Sequence, residues 1–84
     1  MSTLYRSWGE RVRAARKEFH WTQAQMATIV GVTRSHLANI ESGRRPPTDE
    51  VKERIAGATR KTYDQLFPWP TEIPPFPNVV RTAA

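Results

Sequence analysis

Apolar residues recur along this chain at helical spacing, in groups separated by polar or glycine-bearing breaks. Trp8, Val12 and Ala15 fall at i, i+4 and i+7, one stripe of a first helix predicted from about Trp8 to Glu18 behind a Ser7 cap. His20 sits just past its end, where histidine can take a positive φ. Phe19 and Trp21 flank it and, with Trp8, read as core aromatics. Met26, Ala27 and Val30 mark a second helix, which Thr22 and Gln25 open as a Thr-x-x-Gln capping box. Thr33 caps a third helix with Leu37 and Ile40 inward, and Gly43 ends it. Between these two, small Ala27 permits a close crossing and Gly31 supplies the positive φ of a sharp turn, with Val32 beside it. Thr48, followed by Asp49 and Glu50 in the first turn, opens a fourth helix with Val51, Ile55 and Ala58 on one face; Gly57 weakens its last turn. Thr62 caps a short fifth helix, Tyr63 to Phe67, stopped by Pro68, whose Tyr63, Leu66 and Phe67 close the core.

Beyond that point the pattern changes. Residues 68–84 hold five of the seven prolines, which excludes both a helix and a central strand. They form an extended strap, a polyproline II segment or a disordered tail. The predicted organisation is therefore an all-α bundle of four or five helices over residues 1–67, with a two-helix unit at 22–43 and a Pro-rich tail at 68–84.

Composition narrows the function. Eighty-four residues hold one modest core, and the absence of cysteine excludes disulfides and thiolate metal sites. No apolar run nears the roughly 20 residues needed to span a bilayer, and the start lacks a secretory h-region, so the expected setting is the cytoplasm, without membrane association. The net charge of +5 is unevenly spread. Residues 1–45 carry eight Lys and Arg against three acids, whereas residues 46–84 carry five of each sign. The whole excess lies in the half with the two-helix unit, as a polyanion-binding face requires. His20 and His36 fall on separate elements with no paired carboxylate, and no phosphate loop, Ser-His-Asp order or metal-ligand spacing occurs. Neither an enzyme nor a metal or other cofactor is expected.

The 22–43 unit has the pattern of a DNA-binding helix-turn-helix. The chain resembles the Cro/repressor-like (XRE) family over about residues 8–67, on Trp8-Gly9-Glu10-Arg11-Val12, Arg16, Thr22-Gln23, Met26-Ala27, Gly31-Val32-Thr33, Ile40-Glu41-x-Gly43 and the downstream Pro-Pro-Thr-Asp-Glu-Val. It departs at Thr59-Arg60-Lys61, where the family has Leu-Gly-Val, which weakens that part of the core; the tail lies outside the shared pattern. The resemblance implies a lambda-repressor-like bundle whose third helix, 33–42, enters the major groove of double-stranded DNA. It implies a small Cro-like repressor of phage or prokaryotic type, acting as a homodimer on a palindromic operator with half-sites about one turn (~34 Å) apart. No small-molecule ligand is expected.

By position in the family motif, Arg34, Ser35 and Asn39 match base-contacting sites. Arginine can pair with guanine O6 and N7, asparagine with adenine N6 and N7, and serine adapts to several edges. Phosphate contacts are expected from Thr22 and Gln23 at the start of the second helix, from His36, and from Ser42, the backbone amides near Gly43, Arg44 and Arg45. The family pattern also implies a structural ion pair, Arg16 with Glu41. Two other roles fit the same residues: a protein-interaction module that keeps the helix-turn-helix as a scaffold, and a controller of a restriction–modification or toxin operon. Trp69, Ile73, Phe76, Val79 and Val80 offer either a dimer surface or, through Trp69 and Phe76, a strap over the chain's own core.

Overall fold

The structure, a computed structural model, describes residues 3–69. Among them run five helices and no strand: α1 (Thr3–Glu18), α2 (Gln23–Val30), α3 (Arg34–Ser42), α4 (Asp49–Thr59) and α5 (Tyr63–Leu66). All five contribute to one core of buried side chains, among them Trp8, Val12, Met26, Leu37, Ile55 and Leu66. Full burial of such a side chain is worth about 1.5–3 kcal/mol.

Four local expectations need correction. First, α1 begins at Thr3, so Ser7 lies inside the helix and caps nothing. The apolar stripe extends back one turn, because Leu4 and Tyr5 pack against the core and the Tyr5 ring lies 5.5 Å from that of Trp8. Second, of the three aromatics assigned to the core, Trp8 is buried and Trp21 packs against it, but Phe19 does not belong to it. Phe19 is exposed and stacks on half-buried Trp21, the ring centroids 4.5 Å apart. Both flank His20, whose φ of 58° ends α1 as expected. Third, the buried stripe of α4 is Val51, Ile55 and Thr59, with Ala58 only half-buried. The Thr59 hydroxyl donates to the Ile55 carbonyl at 2.8 Å, which lets a polar side chain replace an apolar one there. Arg60 then takes the left-handed cap (φ 59°) that glycine would adopt without strain. Fourth, Tyr63 is exposed, so the core is closed here by Leu66 of α5 and by Phe67, which follows it.

The remaining caps follow the sequence. Thr22, Thr33, Thr48 and Thr62 each accept a backbone N–H of the first turn, and Thr22–Gln25 and Thr62–Gln65 form reciprocal boxes. Gly31 and Gly43 take φ of 88° and 84°. The α2–α3 turn is thus fixed at both ends by local chemistry.

One packing constraint sets the position of α3. A Cβ placed on Gly9 would lie 2.4 Å from the Glu41 carbonyl oxygen and 2.5 Å from that of Ile40. The backbone of α1 therefore rests directly on the backbone of α3, its most extensive partner. Past α5 the chain turns back to α1: the Trp8 indole N–H donates to the Pro68 carbonyl at 2.8 Å, and the Trp69 ring meets Trp8 edge-on at 5.3 Å. Trp69 is half exposed; Ile73, Phe76, Val79 and Val80, the other tail residues considered for a strap or dimer surface, lie outside the described residues. No helix among the described residues is long and apolar enough to cross a membrane.

Candidate nucleic-acid interface

Helix α3 buries Leu37 and Ile40 and turns its other side outward. Arg34 and Ser35 are exposed, while His36 and Asn39 are half-buried. Ser35 and Asn39 are one turn apart on the same face. Among the described residues none of these four side chains has a hydrogen-bond or ion-pair partner, so their donors and acceptors face outward unoccupied.

The exit of α3 is bolted to its last turn. The Asn39 carbonyl accepts the N–H of Arg44 at 3.0 Å and of Arg45 at 3.3 Å, and the Gly43 N–H reaches the Ile40 carbonyl at 3.2 Å. This corrects one expectation: the amides near Gly43 are occupied by the helix's own carbonyls and are not available to an anion. What the segment presents instead is the pair of exposed guanidinium groups of Arg44 and Arg45, held between the Gly43 cap and buried Pro47. The Ser42 hydroxyl donates to the Asn39 carbonyl at 3.1 Å, so its oxygen, rather than its proton, faces outward.

Beneath the helix lies a buried charge network. Arg16 Nε donates to Glu41 Oε2 at 2.7 Å and Arg16 Nη2 to Oε1 at 3.1 Å, with the side chains 12% and 4% exposed. Arg16 Nη1 also donates to the Trp21 carbonyl at 2.9 Å, and the Gln23 amide to Glu41 Oε1 at 3.1 Å. The Arg16–Glu41 pair thus joins α1, the α1–α2 connection, α2 and α3 with its charge matched. The Gln23–Glu41 bond, across 18 residues of sequence, has no local signal. It uses one N–H of the Gln23 carboxamide and fixes the side chain against α3. In the capping box of α2 the N–H groups of Thr22 and Gln25 have side-chain acceptors. The two between them, of Gln23 and Ala24, have none within the helix and point out of its positive end.

The cations divide accordingly. Arg11 donates to the Gln65 carbonyl, Arg16 is held by Glu41, Arg54 by Glu50 and Lys61 by Glu18. Lys52 is buried among aromatic rings, its Nζ 4.2 Å from the Trp8 centroid. Among the described residues Arg6, Arg13, Lys17, Arg34, Arg44, Arg45 and Arg60 have no such partner. Arg34, Arg44 and Arg45 belong to α3 and its exit, and Arg6 packs by its Cα and Cγ where a Cβ on Gly43 would stand. No group of three or more His, Asp or Glu side chains gathers as a metal site among the described residues.

The helix-turn-helix family matches residues 12–66, most of the described chain. The immunity repressor protein of Bacillus phage phi105 is 44% identical over 50 residues, 60% of this chain and 35% of the phage protein. The uncharacterized HTH-type transcriptional regulator YazB of Bacillus subtilis (strain 168) is 36% identical over 61 residues, 73% of this chain and 88% of YazB. The chain thus spans about a third of the phage protein but most of YazB. Among solved structures, the restriction-modification controller protein C.AhdI from Aeromonas hydrophila superimposes with a TM-score of 0.71 at 25% identity, over 75% of this chain and 96% of that one.

Proposed function

This chain belongs to the XRE-type helix-turn-helix family, and we propose that it is a sequence-specific transcriptional repressor reading double-stranded DNA with α3. The observation that carries this reading is the set of side chains left without partners on α3 and its exit: Arg34, Ser35, Asn39, Arg44 and Arg45. A buried network holds the helix in place, so binding orders these side chains without having to order the backbone that carries them.

Arg34 pairs with guanine O6 and N7, Asn39 with adenine N6 and N7, and Ser35 adapts to the neighbouring edge. Phosphates are held by the guanidinium groups of Arg44 and Arg45, by the free N–H groups of Gln23 and Ala24, and by the Thr22 hydroxyl. His36 and Ser42 border the same contacts, Ser42 by turning its proton from the Asn39 carbonyl to a phosphate oxygen. The domain of residues 1–67 carries this activity, in the cytoplasm, as a homodimer on a palindrome with half-sites about one turn (~34 Å) apart. The name of the phi105 relative supports repression. A second reading, control of a restriction–modification operon, is favoured by the C.AhdI superposition.

Titration of a labelled random-sequence duplex at stepped salt tests the reading. Its affinity falls linearly on logarithmic axes, with a slope of about 0.9 per phosphate neutralised. An affinity indifferent to salt, or absent, contradicts it and favours the scaffold role.

A further inference from the structure

We propose that Arg13, on α1, grips a backbone phosphate of the duplex in a cleft between α1, α2 and α3, extending the interface beyond the helix-turn-helix; the inference rests on the DNA-binding reading above. The cleft encloses about 190 Å³ and is lined by Arg13, Arg16, Gln23, Ala38, Glu41 and Ser42. Two of its walls, Gln23 and Ser42, already belong to the proposed phosphate contacts.

The charge inside it is informative. The Glu41 carboxylate accepts from both Arg16 and Gln23, so its negative charge is matched within the wall. Arg16, one turn after Arg13, is nearly buried, and its charge is already matched by the Glu41 carboxylate. Arg13 is exposed and, among the described residues, has no partner. It is the uncompensated charge of the cleft. Its planar fork suits two oxygens of one phosphodiester. The adjoining start of α2 contributes the free N–H groups of Gln23 and Ala24. A cation without a protein partner, beside a helix's positive end, is repelled there until an anion arrives. Arg11, two residues earlier, is instead paired with the Gln65 carbonyl and lies outside the cleft.

The test compares Arg13→Gln with Arg11→Gln, two charge-matched changes on one helix, on the duplex that the wild-type protein selects from a random pool. For each protomer Arg13→Gln lowers the steepness of the salt dependence by about one, hence by about two for the bound homodimer, and weakens binding about five- to tenfold per protomer near 0.1 M salt, equally on selected and random duplexes. Arg13→Lys keeps the steepness, and Arg11→Gln departs from wild type by much less. Thermal melting of Arg13→Gln stays at the wild-type temperature, which separates lost grip from lost fold. In a series of duplexes carrying an uncharged methylphosphonate at the same linkage of both half-sites, one linkage position removes the difference between wild type and Arg13→Gln. Equal salt dependence for Arg13→Gln and Arg11→Gln, with the wild type binding normally, overturns the Arg13 assignment alone. Loss of salt-sensitive binding by the wild type itself overturns the parent reading and this one together.

Discussion

Two regions of this small bundle use cations in contrary ways. Where α4 and α5 meet the start of α1, Lys52 is buried, its ammonium 4.2 Å from the Trp8 centroid, within 6 Å of the Phe67, Tyr63 and Trp69 rings and 4.0 Å from the Asp49 carboxylate. Along α3 and its exit, Arg34, Arg44 and Arg45 stand exposed with no partner among the described residues. The first arrangement closes a core; the second is left open. Net charge does not distinguish them. A cation's partner, or its lack of one, tells which positive residues hold the fold and which are available to a polyanion.

The contrast predicts that changes in the supporting region alter stability, while changes along α3 and its exit alter DNA binding with the fold intact. The largest effect is expected at Glu41, which joins the two. Glu41→Ala leaves Arg16 nearly buried and uncompensated and costs about 3–5 kcal/mol in urea denaturation. A wild-type midpoint would show that the pair does not hold α1 to α3. Next comes Gly9→Ala, which puts a methyl against two α3 carbonyls and costs about 1–3 kcal/mol by forcing the helices apart, although alanine favours the helix itself. Calorimetry checks it; an unchanged or raised Tm would mean that the contact relaxes freely.

Arg44→Gln with Arg45→Gln lies on the other side of the comparison. Melting stays within about 0.5 kcal/mol of wild type, and the steepness of the salt dependence drops by about two per protomer, about four for the bound homodimer. Duplex titration across a salt series would refute the assignment by giving parallel lines. The smallest effect is assigned to Lys52→Met, which keeps a flexible apolar stem and loses the cation over the rings, about 0.5–2 kcal/mol of stability with DNA affinity unaltered. A drop in affinity without a drop in Tm would move Lys52 to the binding side of the divide.

How much of this was legible in the sequence depends on the range of the interaction. Four threonine caps, the Gly31 turn and the Gly43 stop act within a few residues, and each appears where its residue type predicts. The first turn of α1 was missed because Leu4 and Tyr5 are helical through what they pack on, and polar Ser7 offered a plausible cap. The exposure of Phe19 was likewise invisible: hydrophobicity predicts burial, whereas stacking on Trp21 satisfies this ring at the surface. Thr59 shows the reverse, a polar side chain buried because its hydroxyl finds a carbonyl one turn back. In the interface, the outward residues of α3 could be assigned from the periodicity around Leu37 and Ile40. The state of their neighbours could not. The Gln23 amide on Glu41 and Arg13 at the mouth of a cleft depend on distances between elements, whereas the occupied N–H groups of Arg44 and Arg45 follow from the local geometry of the helix end.

The central claim is that α3 reads bases through particular side chains, and parallel selection of duplexes from a random pool by wild type and Arg34→Ala tests it most directly. The account predicts that the wild type recovers a palindromic site and that Arg34→Ala, folded and still bound by its phosphate contacts, loses about 1–3 kcal/mol of discrimination at one guanine in each half-site while the other positions persist. Identical recovered sites for the two proteins would contradict it.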